Sequence, residues 1–325
     1  MNRTNPTSAF YVVADSSHFL GLVALINSLR LAGHDEPIYV TDCGLAESHR
    51  RRLADHVTLV EAATADTPHF AKTVAPLAHP MDVMVLVDTD IIVTKPLTEL
   101  IDNARSGKVV AFVDAIAHRF DERWSELLGL GQLRRQPYVN SGLIVAERAI
   151  GKTVLAQVAA GCTQVDVDRT IVANGDSDYP FYYLDQDVLN AVLAACTSDQ
   201  LDLHDHALAP FPPFRGLQVV DEAALRCSYR DGREPFALHH VLRKPWLAPT
   251  RWSIYSRLLA RLLLGSDVAV PVRRDEVPLR LQPGTIAWLE KRRSDALASL
   301  AGVRGRLGLR HELTRRRQRR SPNNL

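Results

Sequence analysis

Residues 83–93 have the sequence VMVLVDTDIIV, an apolar strand that ends in two carboxylates and is followed by a second β-branched run. Side chains alternate between the two faces of a strand, so residues two apart point the same way. If the chain stays extended, Asp88 and Asp90 converge and can bind one divalent cation. The alternative is a solvated turn in which Asp serves for its turn geometry. A lone Asp-x-Asp pattern favours the turn, so the case for a cation site depends on the rest of the sequence.

Length and composition place the chain among globular α/β proteins. Its 325 residues, 46% of them hydrophobic, suffice for one large domain or one domain with an appendage. No apolar run is long enough to span a bilayer, and residues 1–8 lack the apolar segment of a secretory signal. The four cysteines show no paired spacing, which favours reduced thiols over a disulfide framework or a zinc site. These features predict a cytoplasmic protein.

Charge is distributed unevenly along the chain. Residues 291–325 hold 11 Lys/Arg and two Asp/Glu, a net charge of +9, which leaves −7 on residues 1–290. Apolar residues recur at helical spacing among these arginines, and the pattern predicts attachment to an anionic surface on the inner face of the cell membrane. Glycines oppose a helix here, so we expect disorder in solution and ordering at the membrane. No nucleic-acid motif accompanies the tail, so no nucleic-acid partner is expected. The apolar positions are Leu297, Leu300, Val303 and Leu307, and the glycines are Gly302, Gly305 and Gly308.

Strands and helices alternate at short spacing along the chain. This alternation is typical of a parallel sheet with helices on both faces. The strand at 83–87 then lies near the centre of the sheet, where ligands bind beyond the carboxyl ends of the strands. We predict strands at 10–14, 37–41, 57–60, 83–87, 109–113, 138–145 and 236–242, and helices at 19–32, 46–56, 97–106, 121–130, 151–161 and 185–195.

Several short segments carry a family resemblance when they are taken in order. They are Ala14-Asp15 at the end of the first strand, Asp88-Thr89-Asp90, Asn140-Ser141-Gly142, DQDVLN at 185–190, and His239-His240 followed by Lys244-Pro245-Trp246. Together they resemble the retaining glycosyltransferases of family 8, which include glycogenin-like enzymes and, more closely similar, bacterial lipopolysaccharide α-galactosyltransferases. The resemblance covers residues 8–250 and implies a GT-A type α/β fold, a mostly parallel sheet flanked by helices. Residues 251–325 are then expected to form a basic, helical C-terminal region.

The resemblance implies a nucleotide pocket at the end of the first strand. Ala14, Asp15 and Ser17 occupy the positions that bind the uracil base in the family, whereas as an isolated residue Asp15 would simply cap the following helix. A basic residue near the position of Lys72 contacts the ribose, the sugar or the diphosphate in these enzymes. Without the resemblance, a lone lysine is an ordinary solvated charge.

The resemblance also implies a donor-sugar site. Asn140, Ser141 and Gly142 would bind the sugar hydroxyls, and the alternative is a bulge in a strand. Asp185 and Gln186 open a helix, where acids are favoured by the helix dipole without any function. The family places them against the anomeric carbon, so we assign Gln186 to transition-state stabilisation and Asp185 to sugar binding. The sequence does not choose between the retaining mechanisms.

A metal site completes the pattern. The resemblance makes His239 the third ligand of Mn²⁺ (or Mg²⁺), beside the two carboxylates of the Asp-Thr-Asp motif, and neutral imidazole suits such a site. His240 remains an alternative ligand. Thr89 would lie at the donor within the same motif, and Lys244 would compensate the charge of the departing diphosphate.

The predicted reaction is transfer of a hexose, galactose or glucose, from a UDP-sugar donor to a hydroxyl of a glycan or glycolipid acceptor. It would proceed with retention of configuration and depend on the metal. The resemblance also implies that Asp114, which follows the strand at 109–113, lies near the acceptor. Two alternatives are a non-catalytic nucleotide-sugar-binding module and a nucleotidyltransferase on a related fold. The latter would normally need a Gly-rich, basic loop after the first strand, and residues 15–18 (DSSH) do not form one.

Overall fold

The structure, a computed structural model, describes residues 7–62, 68–241 and 243–306. Their strands are β1 (Ser8–Ala14), β2 (Ile38–Asp42), β3 (Thr58–Glu61), β4 (Val83–Val87), β5 (Ile91–Val93), β6 (Val109–Val113), β7 (Val139–Glu147), β8 (Leu201–His204), β9 (Leu217–Asp221), β10 (Arg226–Tyr229) and β11 (Ala237–His239). Their helices are α1 (Phe19–Leu31), α2 (Glu47–Leu53), α3 (Val74–Ala78), α4 (Thr98–Ala104), α5 (Trp124–Leu128), α6 (Arg148–Cys162), α7 (Asp185–Ala195), α8 (Ile254–Leu264) and α9 (Thr285–Arg306).

A seven-stranded sheet with the strand order β3-β2-β1-β4-β7-β6-β8 forms the centre of the molecule. The pairings β2–β3, β1–β2, β1–β4 and β6–β8 are parallel, whereas β7 runs antiparallel to both of its neighbours. The sheet is therefore mostly parallel, as predicted, and β4 lies at its middle. All five residues of β4 are buried, as expected for a strand covered on both faces.

Apolar side chains on the two faces of the sheet belong to two separate cores. In β1, Phe10 and Val12 pack with α1 on one face, whereas Ala9 and Tyr11 pack with α6 and α7 on the other. This division follows from the alternation of side chains along a strand. Helices therefore flank the sheet on both sides, which confirms the predicted α/β architecture.

The segment after residue 250 packs against the first core. Leu258, Leu259 and Leu262 of α8 are fully buried and belong to the same apolar cluster as α1. Asn27 of α1 is also fully buried, and its amide donates to the carbonyl oxygens of Leu262 and Val270, each at 3.0 Å. The amide oxygen of Asn27 accepts the N–H of Val270 at 2.7 Å. These bonds join the C-terminal segment to the start of the chain.

Some element boundaries differ from those predicted. The helix expected at 121–130 is only Trp124–Leu128, because Gly129 adopts a left-handed conformation (φ 61°) and ends it. The helix expected at 46–56 is shortened to Glu47–Leu53. The strands β8, β9 and β10 were not predicted, since their residues are largely half-exposed and lack a clear apolar pattern.

The basic tail is described only as far as α9. This helix continues through Gly302 and Gly305, where we expected glycine to interrupt it. Each glycine lowers helix stability by about 1 kcal/mol, which does not forbid a helix. Leu307, Gly308 and the arginine run at 315–320 lie outside the described residues. No helix in the described ranges is long and apolar enough to cross a membrane.

Candidate active site

The two carboxylates of the Asp-Thr-Asp motif lie at the carboxyl end of β4, in the turn that leads to β5. The chain is not extended here, because the N–H of Ile91 donates to the carbonyl oxygen of Asp88 at 3.1 Å. Asp88 and Asp90 therefore converge through a turn and not through strand alternation, which corrects the geometry expected from the sequence. Asp90 is buried, and Asp88 is partly exposed.

His239 lies beside these carboxylates because β11 pairs with β5, with His239 opposite Ile91. Its Nε2 atom is 3.1 Å from Asp90 Oδ1 and 3.9 Å from Asp88 Oδ2. One ligand atom from each of the three residues lies within 4.8 Å of the others. Of the two histidines that the sequence left open, His239 is the one that joins this cluster.

His240 lies on the other side of β11, in the apolar core. Its ring packs 4.9 Å from the ring of Tyr255, and its Nδ1 atom has no hydrogen-bond partner among the described residues. Burial lowers the pKa of His240 to about 4. His240 is therefore a neutral core residue in the native protein at neutral pH.

Two lysines neutralise the carboxylates. Lys72 Nζ lies 2.8 Å from Asp88 Oδ1 and 3.0 Å from Asp185 Oδ2, and Lys244 forms an ion pair with Asp90. Burial alone would raise the pKa of Asp90, but its contacts with His239 and Lys244 hold it well below its ordinary value. Burial likewise opposes the charge of Lys72, but its two acidic neighbours raise its pKa. The sequence did not reveal that Lys72 bridges two separate motifs.

A bulge interrupts β7 between Asn140 and Val145. Val145 pairs with Val110 in β6, whereas Asn140 pairs with Phe112, so β7 holds extra residues between these pairs. The bulge expected as the alternative to a sugar site is thus present, and it lies at the site. Ser141 Oγ reaches Asp185 Oδ2 (3.1 Å) and Lys72 Nζ (3.3 Å), which links the bulge to the ion pairs.

Gln186 lies in the first turn of α7 and is held by three groups. Its Oε1 atom accepts from Asn140 Nδ2 and from the backbone N–H of Ser141, both at 3.1 Å. Its Nε2 atom donates to Asp114 Oδ2 at 3.3 Å, and Asn140 Nδ2 donates to the same oxygen at 2.9 Å. Because the backbone N–H can only donate, the orientation of the Gln186 amide is fixed. Asp114 therefore contacts the Gln186 amide and lies at the end of β6.

Gly142 allows the close approach of the imidazole to the bulge. A methyl group on Gly142 would lie 2.3 Å from Cε1 and 2.7 Å from Nδ1 of His239. The Gly142 carbonyl oxygen also accepts the N–H of Asp88 at 2.8 Å. A residue with a side chain does not fit here without displacing the ring.

The proposed nucleotide-binding residues lie at the end of β1, the strand beside β4. Asp15 caps a short 3-10 helix by accepting the N–H of His18 at 2.9 Å, so its structural role is present. Burial alone would raise the pKa of Asp15, but hydrogen bonds from Ser17 and His18 outweigh this effect and hold the pKa below its ordinary value. Trp246 Nε1 donates to the carbonyl oxygen of Ser17 at 3.0 Å, which joins the Lys-Pro-Trp segment to this edge. Ala14 is buried behind it, and Thr89 is buried in the turn after β4.

A buried network that the sequence analysis missed supports the start of α7. Asp187 is fully buried and receives Nε and Nη2 of Arg119 at 2.6 and 2.7 Å, together with the Tyr138 hydroxyl at 2.7 Å. Asn190 makes two bonds to the backbone of Val139, at 2.7 and 2.8 Å. These contacts fix α7 to β7. The sequence signal was an Asp in a first helical turn, which the helix dipole alone explains.

The backbone before α7 is strained. Leu184 has φ 52° and ψ −126°, a region that a leucine rarely adopts. Its side chain is buried, so packing maintains the conformation. Strained residues of this kind cluster at functional sites. Leu184 immediately precedes Asp185 and Gln186, which both contact Ser141 of β7.

Comparison with known proteins identifies the fold. No family model and no curated protein matches the chain. The structure of galactosyltransferase LgtC with donor and acceptor sugar analogues matches at TM-score 0.53 and 16% identity, over 82% of this chain and 98% of LgtC. An active-site mutant of LgtC, glutamine to glutamate, matches at TM-score 0.54 and 15% identity, with the same coverage. The bifunctional glycosyltransferase WbbM matches at TM-score 0.55 and 15% identity, over 82% of this chain and 51% of WbbM. The chain has the GT-A glycosyltransferase fold, as the sequence resemblance predicts.

Proposed function

We propose that this protein is a family 8 type glycosyltransferase that moves a hexose from a UDP-sugar to a glycan or glycolipid hydroxyl with retention of configuration. The main support is that Asp88, Asp90 and His239 converge with Lys72 and Gln186 at one edge of the sheet. Ligands bind at this edge in open α/β sheets. The fold shared with LgtC, whose structure contains donor and acceptor sugar analogues, agrees with this substrate class.

A divalent cation fits the residues present. Two carboxylates and an imidazole suit Mn²⁺ or Mg²⁺, and their ligand atoms lie close enough to share one ion. When bound, the cation would stabilise the charge that develops on the departing UDP. Asp88, Asp90 and His239 would hold it, while Lys72 and Lys244 would add positive charge beside the diphosphate.

Gln186 is proposed to contact the sugar as a hydrogen-bond donor. Both lone pairs of its Oε1 are engaged by Asn140 and Ser141, so this oxygen is poorly placed to act as a nucleophile. One N–H of the amide donates to Asp114, and we propose that the amide nitrogen also donates to a sugar oxygen. This arrangement favours transition-state stabilisation by Gln186, with Asp185 binding the sugar hydroxyls and Asp114 the acceptor.

The base of the nucleotide is proposed to lie at the end of β1. Ser17 and His18 orient the carboxylate of Asp15. A carboxylate can accept the N–H of a uracil ring. The contact between Trp246 and Ser17 would connect this pocket with Lys244 at the diphosphate.

UDP release from a panel of UDP-sugars, with slow hydrolysis in place of an acceptor, tests the proposal. We expect release from UDP-galactose or UDP-glucose that needs Mn²⁺ and stops with chelator. Asp90→Asn should abolish it, whereas Asp102→Asn, a change of the same kind at an exposed surface residue, should not. UDP binding without release, with any acceptor offered, would identify a non-catalytic binding module. Absence of UDP binding would overturn the proposal.

We further propose that the C-terminal region binds an anionic membrane at the cytoplasmic leaflet, where a glycolipid acceptor would lie. In α9, the side chains of Ile286, Trp288 and Leu289 are 68%, 53% and 57% exposed. Lys291 lies 4.0 Å above the ring of Trp252, and Arg292 lies 5.2 Å above that of Trp288. Exposed tryptophan beside basic residues is typical of surfaces that bind anionic lipid headgroups.

Vesicle co-sedimentation tests the membrane proposal. We expect binding to vesicles that contain phosphatidylserine, little binding to neutral vesicles, and release at high salt. Trp288→Ser should weaken this binding, whereas Leu127→Ser, at an exposed leucine in α5, should leave it unchanged. Equal binding by the two variants would contradict the assignment of this surface.

A further inference from the structure

Each carboxylate of the proposed metal site already has an ammonium group beside it. Lys72 pairs with Asp88 at 2.8 Å, and Lys244 pairs with Asp90. Both lysine side chains are mostly buried, with 17% and 18% of their surface exposed. Lys244 Nζ also donates to the carbonyl oxygen of His240 at 3.2 Å. Both carboxylates that would bind the cation are therefore already paired with ammonium groups of the protein.

Charge balance sets the conditions for ligand binding. Three carboxylates (Asp88, Asp90, Asp185) and two ammonium groups (Lys72, Lys244) leave a formal charge of −1 at this site. A divalent cation alone would change it to about +1, and the diphosphate of a UDP-sugar, with about one negative charge on each phosphate, to about −3. Both together restore −1. Uncompensated charge in a partly buried site is unfavourable, so either ligand alone meets a penalty that the pair avoids.

We propose, building on the function above, that Lys244 occupies the cation's place on Asp90 and is released to the diphosphate when metal and UDP bind together. Metal and nucleotide then bind with positive coupling, because each prepares the site for the other. Thermodynamic linkage requires the coupling to be reciprocal. The protein would thus hold free metal weakly and load it mainly together with its nucleotide substrate.

Lys72 serves the same purpose at the other carboxylate but is held more firmly. It lies between Asp88 and Asp185 and also contacts Ser141 at 3.3 Å. Release from Asp88 would leave its bond to Asp185 intact. Lys244 has Asp90 as its acidic partner among the described contacts, so its displacement by metal leaves its charge without a carboxylate unless phosphate is present. Lys244 is therefore the residue that couples the two ligands.

Mn²⁺ titration of the full chain, followed by electron paramagnetic resonance with and without UDP, tests this inference. In the wild type we expect UDP to tighten Mn²⁺ binding at least about tenfold. In Lys244→Gln, Mn²⁺ without UDP should bind severalfold more tightly than in the wild type, and the gain from UDP should shrink. Lys244→Arg keeps the charge and should bind Mn²⁺ as weakly as the wild type. Lys152→Gln, the same charge change at an exposed position of α6, should have no effect.

The outcomes separate this inference from the proposed function. If Mn²⁺ and UDP both bind but Lys244→Gln leaves the affinity for Mn²⁺ alone unchanged or lower, the proposed competition between Lys244 and the cation for Asp90 is wrong. The proposed function then still stands. If the wild type binds neither ligand, the proposed function fails and the inference with it. Lys72→Gln provides a second test should Lys244→Gln fail to fold. Lys72→Gln should also tighten the binding of Mn²⁺ in the absence of UDP. An unchanged Mn²⁺ affinity in this variant would count against competition between the lysines and the cation.

Discussion

Gly142→Ala is expected to weaken metal binding strongly while leaving most of the fold's stability intact. The added methyl group would lie 2.3 Å from Cε1 and 2.7 Å from Nδ1 of His239, and 2.9 Å from Asn140 Oδ1. The imidazole is the end of a side chain and can rotate, whereas the backbone of the bulge is held by Asp88. Rotation would remove the ring from Asp90, which it approaches to 3.1 Å.

The two effects have different magnitudes. Misorienting a metal ligand lowers metal affinity by about 10–100-fold, or roughly 1.4–2.7 kcal/mol. Overpacking lowers the free energy of unfolding by about 1–3 kcal/mol, and by less where the neighbouring group can move aside. His239 is such a neighbour, so the metal-free Gly142→Ala variant should unfold within a few degrees of the wild type.

Mn²⁺ titration together with thermal unfolding in chelator measures both effects. Gly151→Ala is the matched control, because its methyl group would lie 2.5 Å from Met84 Cε, in the core away from the carboxylates. We expect the control to lose thermal stability and keep its affinity for Mn²⁺. The reasoning is refuted if Gly142→Ala binds Mn²⁺ like the wild type, or if Gly151→Ala loses as much affinity.

Three further predictions follow from individual contacts. Gly21→Ala should lower the affinity for UDP and the melting temperature, because its methyl group would lie 2.6 Å from the ring of Trp246. Calorimetry with and without UDP measures both quantities, and unchanged UDP binding would contradict the prediction. Gln186→Glu should lower the rate of UDP release about 100-fold near neutral pH. The rate should recover as the pH falls, because the protonated glutamate side chain again donates a hydrogen bond to Asp114. A pH profile of UDP release without this recovery would refute the donor role. His240 has a native pKa of about 4, so protonation favours the unfolded state and stability should fall by about 3 kcal/mol as pH drops from 6.5 to 4. In His240→Phe, the free energy of unfolding measured with urea should depend less on pH between 6.5 and 4. An unchanged pH dependence would contradict the assignment of His240 as a buried, neutral residue.

The sequence predicted which residues meet at the site better than it predicted how they meet. Asp88 and Asp90 converge, but through a turn whose hydrogen bond from Ile91 is a local detail that strand alternation cannot show. The choice between His239 and His240 depended on the register of β11 against β5. That register is set by packing between segments about 150 residues apart, which a pattern within one segment does not encode.

Contacts between distant polar residues were the least predictable part. Lys72 looked like a surface charge, and its position between Asp88 and Asp185 depends on three separate chain segments. Asp187 looked like an ordinary first-turn acid, although it anchors α7 through Arg119. The apolar strands and helices were predictable, because burial imposes a regular period on the sequence. Polar side chains carry no such period, so their partners become known only with the fold.

The bonds of Asn27 to the backbone near residues 262 and 270 have a consequence for the order of folding. During synthesis, α1 leaves the ribosome long before the segment that satisfies this buried amide. The helix is buried along most of its length in the finished protein, and the part of its apolar surface that packs on α8 stays uncovered until α8 arrives. Contacts across 235 and 243 residues form slowly, and exposed apolar surface promotes aggregation in the meantime. Chains shortened before α8 should therefore be insoluble, even though every residue of the proposed metal site would be present.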